Sequence, residues 1–459
     1  METKILPTFL ISITVLSLVS IANAGIFHAD NSKPYPGKGS TISPYCSLTI
    51  ATTNRQCGDI VKVRTGSEAY NETIIIDQPS CPDSAPIVVQ ADDGHQPILT
   101  SRAGPSVTAL FNLVNVSNWR VEGLIFDGKH AGGDGTTTPQ YALMAQAPNV
   151  DVTGIVFRQN RIRNWALSKN FSAKRGAALA FQGNQSRKKF VFDSLITENM
   201  VENVRGTGIY MSHARNSTIS KNDISKLLCK IRLRNGIMHA GVVGIKENNI
   251  ATTLDNPSAD TMENVVEENV IHDFPDGRTC SEESGMPAYD AAVLGYACDV
   301  GAKAGMVRRN KIYNIGYHPE RPLYGSRGIL IESRCHGYTA EGNEISKIGG
   351  SGIEIRNAND TQILHNTISD AQLAGVNFKD GARAVIMENI FSTSPGSGIT
   401  IGSAAWQDGG HTIDYNFYDL VGRPGAIFGV TVPKTFVGWQ QACHCEAHGR
   451  MGDLLAAPK

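Results

Sequence analysis

The stretch SGIEIRNAND, residues 351–360, decides how this chain folds. Ile353 and Ile355 alternate with Glu354 and Arg356, so one face of the segment is apolar and the other is charged. Alternation of this kind predicts a half-buried β-strand. The segment is too short for a helix, and it ends in Asn and Asp, which favour turns. So short a strand cannot bury its apolar face alone, and the rest of the chain must supply its neighbours.

The same pattern recurs along the chain at a nearly constant interval. Aligned segments begin at Gly328, Gly352, Gly375 and Gly398, which are 24, 23 and 23 residues apart. Each repeat holds two or three short strands separated by Gly, Asn and Asp turns, and it lacks both helical periodicity and the Leu-x-x-Leu-x-Leu frame of leucine-rich repeats. We therefore predict an all-β fold, a single-stranded right-handed parallel β-helix of roughly ten to twelve coils.

A second marker, Asn followed after one residue by a hydrophobic residue, repeats over the same region. We expect these asparagines to point inward at one corner and to bond backbone groups of neighbouring coils, because a buried amide needs such partners. Their predicted role is structural. The marker occurs at Asn160, Asn199, Asn222, Asn248, Asn269, Asn310, Asn343, Asn366, Asn389 and Asn416.

The first 24 residues resemble an export signal. Lys4 precedes an apolar run, and the small residues Ala-Asn-Ala end at Ala24, before Gly25. We predict a signal peptide (1–24) and a β-helix domain with an N-terminal cap and a C-terminal tail (25–459). The protein is then secreted or periplasmic, with no membrane span after cleavage. An uncleaved anchor is the alternative, and the short apolar run disfavours it.

Composition limits the partners. Lysine plus arginine (42) nearly equals aspartate plus glutamate (43), so no global field attracts nucleic acid, and a local patch must hold any polyanion.

The cysteines are expected to form disulfides, because the protein is predicted to be exported. Their connectivity stays open, and the odd number of cysteines leaves at least one thiol unpaired. Cys280 and Cys298 flank one candidate loop, and CHCEAH (443–448) lacks the paired spacing of a zinc finger. The nine cysteines are at 46, 57, 81, 229, 280, 298, 335, 443 and 445.

Three segments carry a resemblance to known proteins. GDIVKVRTGSEAYNETIIID (58–77) and APIVVQADDGHQPIL (85–99) resemble the first coils of secreted right-handed parallel β-helix proteins of the pectate-lyase-like superfamily. FVGWQQACHCEAHGR (436–450) resembles the tail of such proteins, so the resemblance spans residues 45–450. It implies the fold. It leaves the chemistry open, because the superfamily includes polysaccharide lyases, epimerases, glycosidases and adhesins.

In a β-helix, outward side chains of successive coils form columns along the axis. The second position after the glycine reads Tyr210, Leu330, Glu354, Asn377 and Thr400, and the fourth reads Ser212, Glu332, Arg356, Lys379 and Gly402. The charged members and one amide fall within three successive coils. We predict that they form a catalytic centre, which consists of Arg356, Lys379, Glu354, Glu332 and Asn377.

Long insertions precede these strands and are predicted to wall a cleft at one rim. They are 126–140, 163–177, 272–291 and 314–328, and they bring aromatics and cations such as Trp165 and Tyr324. The segment YMSHAR (210–215) adds a Tyr/His pair that offers a second acid–base centre. Aromatics beside cations suit sugar rings that carry carboxylates. We predict substrate contacts from Tyr210, His213, Arg215, Tyr317, His318, Arg321 and Arg327.

These residue types suit an acidic polysaccharide. Breaking a uronate chain by β-elimination needs a cation or amide to neutralise the carboxylate, a base for the C5 proton and an acid for the leaving oxygen. Arg356 and Lys379 can serve, and the resemblance implies such pairs on adjacent coils. EIRNAND (354–360) resembles the alginate- and dermatan-degrading lyases, but Glu332 stands where those lyases would place lysine. We predict a lyase or epimerase acting on a uronate-containing polysaccharide.

Two other functions stay open. A glycoside hydrolase would use Glu332 and Glu354 as its paired carboxylates. A non-catalytic surface protein would bind glycans through the loop-walled face. No cofactor is expected, although Asp290 and Asp299 leave calcium binding open without a recognisable ligand spacing. We expect a monomer with no nucleic-acid partner.

Overall fold

The structure, a computed structural model, describes most of the chain. The predicted signal peptide lies outside the described residues, apart from Ala24, and so do most of the insertion loops. The described residues are 24–33, 37–78, 80–100, 106–129, 136, 138–167, 176–234, 237–248, 263–275, 280, 292–299, 303–320, 325–332, 334–419, 422–427 and 435–452.

The chain winds into stacked coils whose strands form three long parallel sheets, here called sheets A, B and C in their order around each coil. Sheet A has 13 strands: Ile26–Ala29, Ile60–Val63, Ile87–Ala91, Trp119–Glu122, Val156–Arg158, Leu195–Thr197, Thr218–Ser220, Val265–Glu267, Met306–Arg308, Thr339–Glu341, Gln362–Leu364, Val385–Met387 and Thr412–Asp414. Sheet B also has 13: Tyr70–Asn71, Ile98–Thr100, Ile125–Asp127, Arg161–Trp165, Met200–Val204, Asp223–Ser225, Val270–Phe274, Lys311–Ile315, Glu344–Ile348, Thr367–Ala371, Ile390–Ser392, Phe417–Asp419 and Arg450–Met451.

Sheet C forms the third side. Its parallel strands are Ile74–Ile76, Ala109–Val114, Tyr141–Gln146, Ala177–Gln182, Thr207–Ser212, Ile237–Asn248, Ala292–Asp299, Ser326–Ile331, Ser351–Ile355, Ala374–Phe378, Ser397–Ile401 and Arg423–Ile427, and Lys230–Arg234 pairs antiparallel at its edge. A small sheet at the corner between sheets C and A comprises Val152–Thr153, Val191–Phe192 and Ala214–Arg215. Among the residues that the structure describes, the helices with given bounds are Leu48–Thr52, Ser403–Asp408 and Phe436–Cys443. The parallel β-helix prediction is thus confirmed, with a coil count at or just above the predicted one.

The opening stretch occupies one rung of sheet C. Ile353 and Ile355 are fully buried in the lumen, and Ile353 stacks between Ile329 of the preceding coil and Val376 of the next. Each coil therefore covers the apolar face of its neighbour, which no single strand could do. Within the described residues, no helix is long and apolar enough to cross a membrane.

The recurring glycine lies where sheet B turns into sheet C. A Cβ on Gly352 would lie 2.5 Å from Cγ2 of Ile368, in the lumen, and 2.7 Å from the carbonyl oxygen of Gly375, in the next coil. Gly328 and Gly375 have the same relation to the glycines that follow them. The glycine period therefore reflects close packing between these coils, since a side chain at Gly328, Gly352 or Gly375 would meet the carbonyl oxygen of the next coil.

The recurring asparagines form a ladder at the corner between sheets A and B. Asn343 Nδ2 donates to Val307 O at 2.9 Å and to Asn366 Oδ1 at 2.9 Å, as predicted. The prediction was wrong for Asn248, which ends a strand of sheet C. The corner of that coil is formed by Asn269 instead, because so short a marker also matches segments away from the corner. The ladder runs through Asn160, Asn199, Asn222, Asn269, Asn310, Asn343, Asn366, Asn389 and Asn416, and it ends on the buried Glu446.

Eight of the nine cysteines form disulfides, and the remaining one, Cys46, is free, as the odd count predicted. Cys280 and Cys298, which flank one insertion, are bonded to partners on other segments rather than to each other. The pairs are Cys57–Cys81, Cys229–Cys280, Cys298–Cys335 and Cys443–Cys445.

The lumen also holds one carboxyl group among aromatic rings. Glu247 is 2% exposed, and the hydroxyl of Tyr338 donates to its Oε2 at 2.6 Å, beside the equally buried Tyr296. Burial raises the pKa of Glu247 to about 7, although hydrogen bonds from its neighbours oppose the rise. The native state therefore holds a proton here that the unfolded chain releases at lower pH.

This proton gives the first testable prediction. Because the folded pKa lies above the unfolded one, the free energy of unfolding should fall as pH rises from about 4.5 to 7, by up to about 3 kcal/mol. In Glu247→Gln this loss should disappear, so the free energy of unfolding should depend less on pH. Denaturant unfolding at pH values below and above this window measures it. The exposed Glu344→Gln should keep the wild-type slope, and an unchanged slope in Glu247→Gln would contradict the assignment.

Candidate functional site

The predicted columns exist on the outer face of sheet C. Leu330, Glu354, Asn377 and Thr400 are paired in register on four successive coils. In the adjacent column, the backbone N–H groups of Glu332, Arg356 and Lys379 each donate to the preceding coil, at 2.9–3.1 Å. The five predicted catalytic residues thus lie on three consecutive coils, as the glycine alignment predicted.

Glu354 is the centre of this group. Its Oε1 lies 3.2 Å from Nη2 of Arg327 and 3.4 Å from Nζ of Lys379, and it also forms an ion pair with Nε of Arg356. Asn377 Nδ2 donates to the other oxygen at 3.0 Å. We call these five residues, together with Glu332, the Glu354 cluster.

Glu354 is only 2% exposed, and its charge state follows from its neighbours. Burial alone raises the pKa of its carboxyl, but Arg327, Arg356 and Lys379 together lower it below the ordinary value. Glu354 is therefore a fixed anion that holds three cations in place. It is poorly suited to accept or donate a proton during a reaction.

Glu332 differs from Glu354 although it lies one coil away. It is half-buried, and its Oε2 lies 4.0 Å from Nη1 of Arg356. Burial, with help from the negative charge of Asp299, raises the pKa of Glu332. The pKa values of the two glutamates are thus shifted in opposite directions. Glu332 is the one that holds a proton more readily than an ordinary glutamate.

The pKa of the Lys379 amine is lowered, in contrast to the raised pKa of Glu332. Burial lowers the pKa of its amine, Glu354 opposes this shift, and the charges of Arg356 and Arg327 add to it. The side chain is 38% exposed, so the amine is open to a ligand. An amine that releases its proton more readily than an ordinary lysine, beside two permanent guanidinium cations, is suited to removing a proton near a bound carboxylate.

Several buried atoms near the cluster lack a hydrogen-bond partner among the described residues. They are Nε of Arg327, Oδ1 of Asn377 and Oγ of Ser351. These atoms lie beneath the surface that Arg356 and Lys379 form, the side chains of which are 34% and 38% exposed.

The structure places the predicted loop residues differently. Arg327 belongs to the buried Glu354 cluster, whereas Tyr317 and His318 are half-buried in the preceding loop. The carbonyl of His318 accepts a hydrogen bond from Gln372 Nε2, which holds this loop against the coil of Gln372. Arg321 and Tyr324 lie outside the described residues. Trp165, expected at the cleft wall, is instead fully buried, with its Nε1 donating to a backbone carbonyl.

The predicted second centre, Tyr210 and His213, lies on an earlier coil than the Glu354 cluster. His213 is 5% exposed and lines a separate pocket. The guanidinium of Arg215 stacks 3.5 Å above the ring of Phe190. Tyr210 packs in an outward-facing apolar cluster with Ala109, Tyr141, Met144, Ala177 and Ala180. These three residues are therefore separated from the Glu354 cluster.

The structure does not test the calcium site that Asp290 and Asp299 leave open. Asp299 forms an ion pair with Lys246 at 2.8 Å, and Asp290 lies outside the described residues. Where the structure describes the chain, no three His, Cys, Asp or Glu side chains gather as a metal site.

Comparison with known proteins identifies the solenoid. A family model described as "Right handed beta helix region" matches residues 297–420, which contain the Glu354 cluster. The chain is similar to the structure of XylC in complex with xylose, with 11% identity and a TM-score of 0.56 over 88% of this chain and 86% of that chain. A search of curated proteins finds no match.

Two further solved structures are similar. A GH136 lacto-N-biosidase from Eubacterium ramulus has 11% identity and a TM-score of 0.53, over 88% of this chain and 67% of that one. A double mutant of the periplasmic alginate epimerase AlgG has 10% identity and a TM-score of 0.50, over 86% of this chain and 78% of that one. These likenesses confirm the fold, a right-handed parallel β-helix.

Proposed function

We propose that this right-handed parallel β-helix protein acts on a uronate-containing polysaccharide by lyase or epimerase chemistry, with the Glu354 cluster as its site. The observation that carries the proposal is a partly exposed lysine with a lowered pKa beside two arginines. Among the structurally similar proteins are an alginate epimerase and a lacto-N-biosidase, which supports a carbohydrate ligand.

The first requirement of the reaction is neutralisation of the substrate carboxylate. The side chain of Arg356 is 34% exposed, whereas that of Arg327 is 8% exposed, so Arg356 is the guanidinium that reaches the substrate. Glu354 orients Arg356 through their ion pair. A guanidinium beside the uronate carboxylate stabilises the negative charge that develops when the C5 proton leaves.

The proton transfers follow from the two shifted groups. Neutral Lys379 takes the C5 proton, and the electron pair of that C–H bond forms the double bond between C4 and C5. The bond from C4 to the glycosidic oxygen breaks, and protonated Glu332 supplies the proton to the leaving oxygen. In the epimerase variant the C4–O bond stays intact, and a proton returns to C5 from the opposite face.

Hydrolysis is the second candidate, because one observation favours it. The pKa values of Glu332 and Glu354 are shifted in opposite directions, as acid and base pairs of glycosidases require. Glu354, however, is buried under three cations and an amide, which leaves its carboxylate little access to a water or a sugar. This geometry favours elimination over hydrolysis.

The location of the protein is part of the proposal. We propose export to an oxidising compartment, directed by the predicted signal peptide in residues 1–24. The four disulfides support it, because such bonds are rare in reducing cytoplasm.

A substrate screen tests the function. On alginate, pectate or a glycosaminoglycan, a lyase gives the ultraviolet absorbance of an unsaturated uronate, and an epimerase exchanges C5 hydrogen in deuterated water without cleavage. Arg356→Ala should abolish either signal, because the substrate carboxylate is then no longer neutralised. The exposed Arg383→Ala should retain it. Reducing ends without ultraviolet absorbance, or binding without turnover, would contradict the proposal, as would equal activity in the two variants.

A further inference from the structure

A second polar pocket opens on sheet C, several coils before the Glu354 cluster. It is a cavity of about 290 Å³ whose wall includes Gln146, Gln182, Asn184, Gln185, Ser212 and His213. None of these residues takes part in the chemistry proposed above. Ser212 and His213 are 2% and 5% exposed, so the pocket has a firmly packed floor.

The backbone builds this pocket. Gln146, Gln182 and Ser212 are paired in register on three successive coils. The turn 184–189 then leaves the coil, closed by reciprocal backbone hydrogen bonds of 2.8 and 2.9 Å between Asn184 and Lys189. Asn184 Nδ2 anchors the turn by donating to Pro148 O at 2.8 Å.

Gly183 permits this arrangement at the base of the turn. A Cβ at this position would lie 2.6 Å from Cβ of His213 and would also meet the carbonyl of Lys189. The backbone approaches closely only because the side chain is missing. The pocket is therefore a formed feature of the coil and does not depend on a movable side chain.

The wall is polar. In the described part of the chain, amide, hydroxyl and imidazole groups line the pocket, with no Lys, Arg, Asp or Glu among them. Two of the three cations of the adjacent turn have partners elsewhere, since Arg187 bonds Asn149 and Lys189 lies 3.5 Å from Asp151. The third, Lys188, is exposed and is not among the residues that line the pocket. Side-chain amides offer donors and acceptors together, which suits the hydroxyl groups of an uncharged sugar.

The pocket shares an outward column with the Glu354 cluster. Ser212 pairs with Asn248, which pairs with Asp299, and the column continues through Glu332 to Arg356. Four coil steps thus separate Ser212 from Arg356, or about 19 Å at the usual strand spacing. One extended polymer lying along sheet C would cross both places.

We propose that this pocket binds an uncharged sugar residue, and that the substrate is a heteropolysaccharide carrying neutral and uronate residues in one chain. The identity of the polymer rests on the function proposed above. The preference of the pocket for an uncharged sugar rests on its wall alone.

Calorimetric titration with neutral oligosaccharides tests the pocket. The probes are xylo-, manno-, gluco- and galacto-oligosaccharides, with oligomannuronate and oligogalacturonate for comparison. We expect wild-type protein to bind at least one neutral probe, and Gln182→Ala to weaken that binding about tenfold through lost hydrogen bonds. Gln146→Ala is the second pocket variant. The exposed Gln362→Ala on sheet A should bind as wild type does.

Three outcomes would overturn the inference: no binding of any neutral probe, tighter binding of the oligouronates at this pocket, or equal affinity in Gln182→Ala and Gln362→Ala. The variant Arg356→Ala distinguishes a failure of the pocket proposal from a failure of the proposed reaction. Neutral binding should survive in Arg356→Ala, so a wrong reaction assignment would show as missing turnover with the pocket still occupied.

Discussion

Replacing Lys379 with methionine should lower kcat on the uronate polymer by about 10²- to 10⁴-fold, the usual loss when a general base is removed. Polymer binding should change far less, since Arg356, which contacts the substrate carboxylate, remains. The expectation follows from the position of the amine, which lies 3.4 Å from Glu354 with its pKa lowered by burial. Steady-state kinetics on the polymer found in the screen would measure kcat and KM separately.

Lys379→Arg distinguishes proton transfer from charge alone. A guanidinium keeps the positive charge but does not release its proton in proteins, so a base at this position cannot be replaced by arginine. Lys379→Arg should therefore be nearly as slow as Lys379→Met. The exposed Lys347, on sheet B of the same coil as Glu354, provides the control Lys347→Met. Substantial activity in Lys379→Arg would show that Lys379 acts only through its charge.

Glu354→Gln should lower the free energy of unfolding by about 3–5 kcal/mol, the cost of breaking a buried ion pair from one side. Glutamine keeps the size of the side chain but leaves Arg327, Arg356 and Lys379 without their common anion. Turnover should fall as well, because Arg356 loses the contact that orients it. Denaturant unfolding followed by circular dichroism would measure the first effect.

The matched control is an exposed ion pair. Asp360 accepts hydrogen bonds of 2.6 and 2.7 Å from Arg383, both side chains being more than half exposed, so Asp360→Asn should cost less than about 1 kcal/mol. Since the pKa of Glu354 is lowered, its contribution is complete above about pH 5 and is lost as pH falls through the folded pKa. The difference between wild type and Glu354→Gln should shrink in acid. Equal stability of Glu354→Gln and Asp360→Asn at neutral pH would contradict the assignment of Glu354 as a buried anion that holds three cations.

The repeat made most of the fold predictable. The glycine and asparagine periods mark two corners of the later coils, and both markers have identifiable structural causes, close packing at Gly352 and amide bonds at Asn343. The failure at Asn248 is informative. A three-residue marker also matches segments away from the corner, and in this coil the corner belongs to Asn269.

The candidate site was only partly predictable. The glycine alignment placed Glu332, Glu354 and Lys379 on one face, because outward columns follow from the period alone. It did not indicate that Arg327, assigned to a loop, lies against Glu354. It also missed Gln146 and Gln182, although the pairing of Gln182 with Ser212 extends the same column to earlier coils.

By itself, the sequence determined the solenoid, because stacking is the only way for such short amphipathic strands to bury their apolar faces. The tertiary structure alone decided the chemistry of the outward residues. Burial and neighbouring charges give Glu332 and Glu354 opposite pKa shifts, although both are glutamates on adjacent coils. Those shifts depend on distances between coils and on desolvation, and neither quantity is contained in the order of the residues.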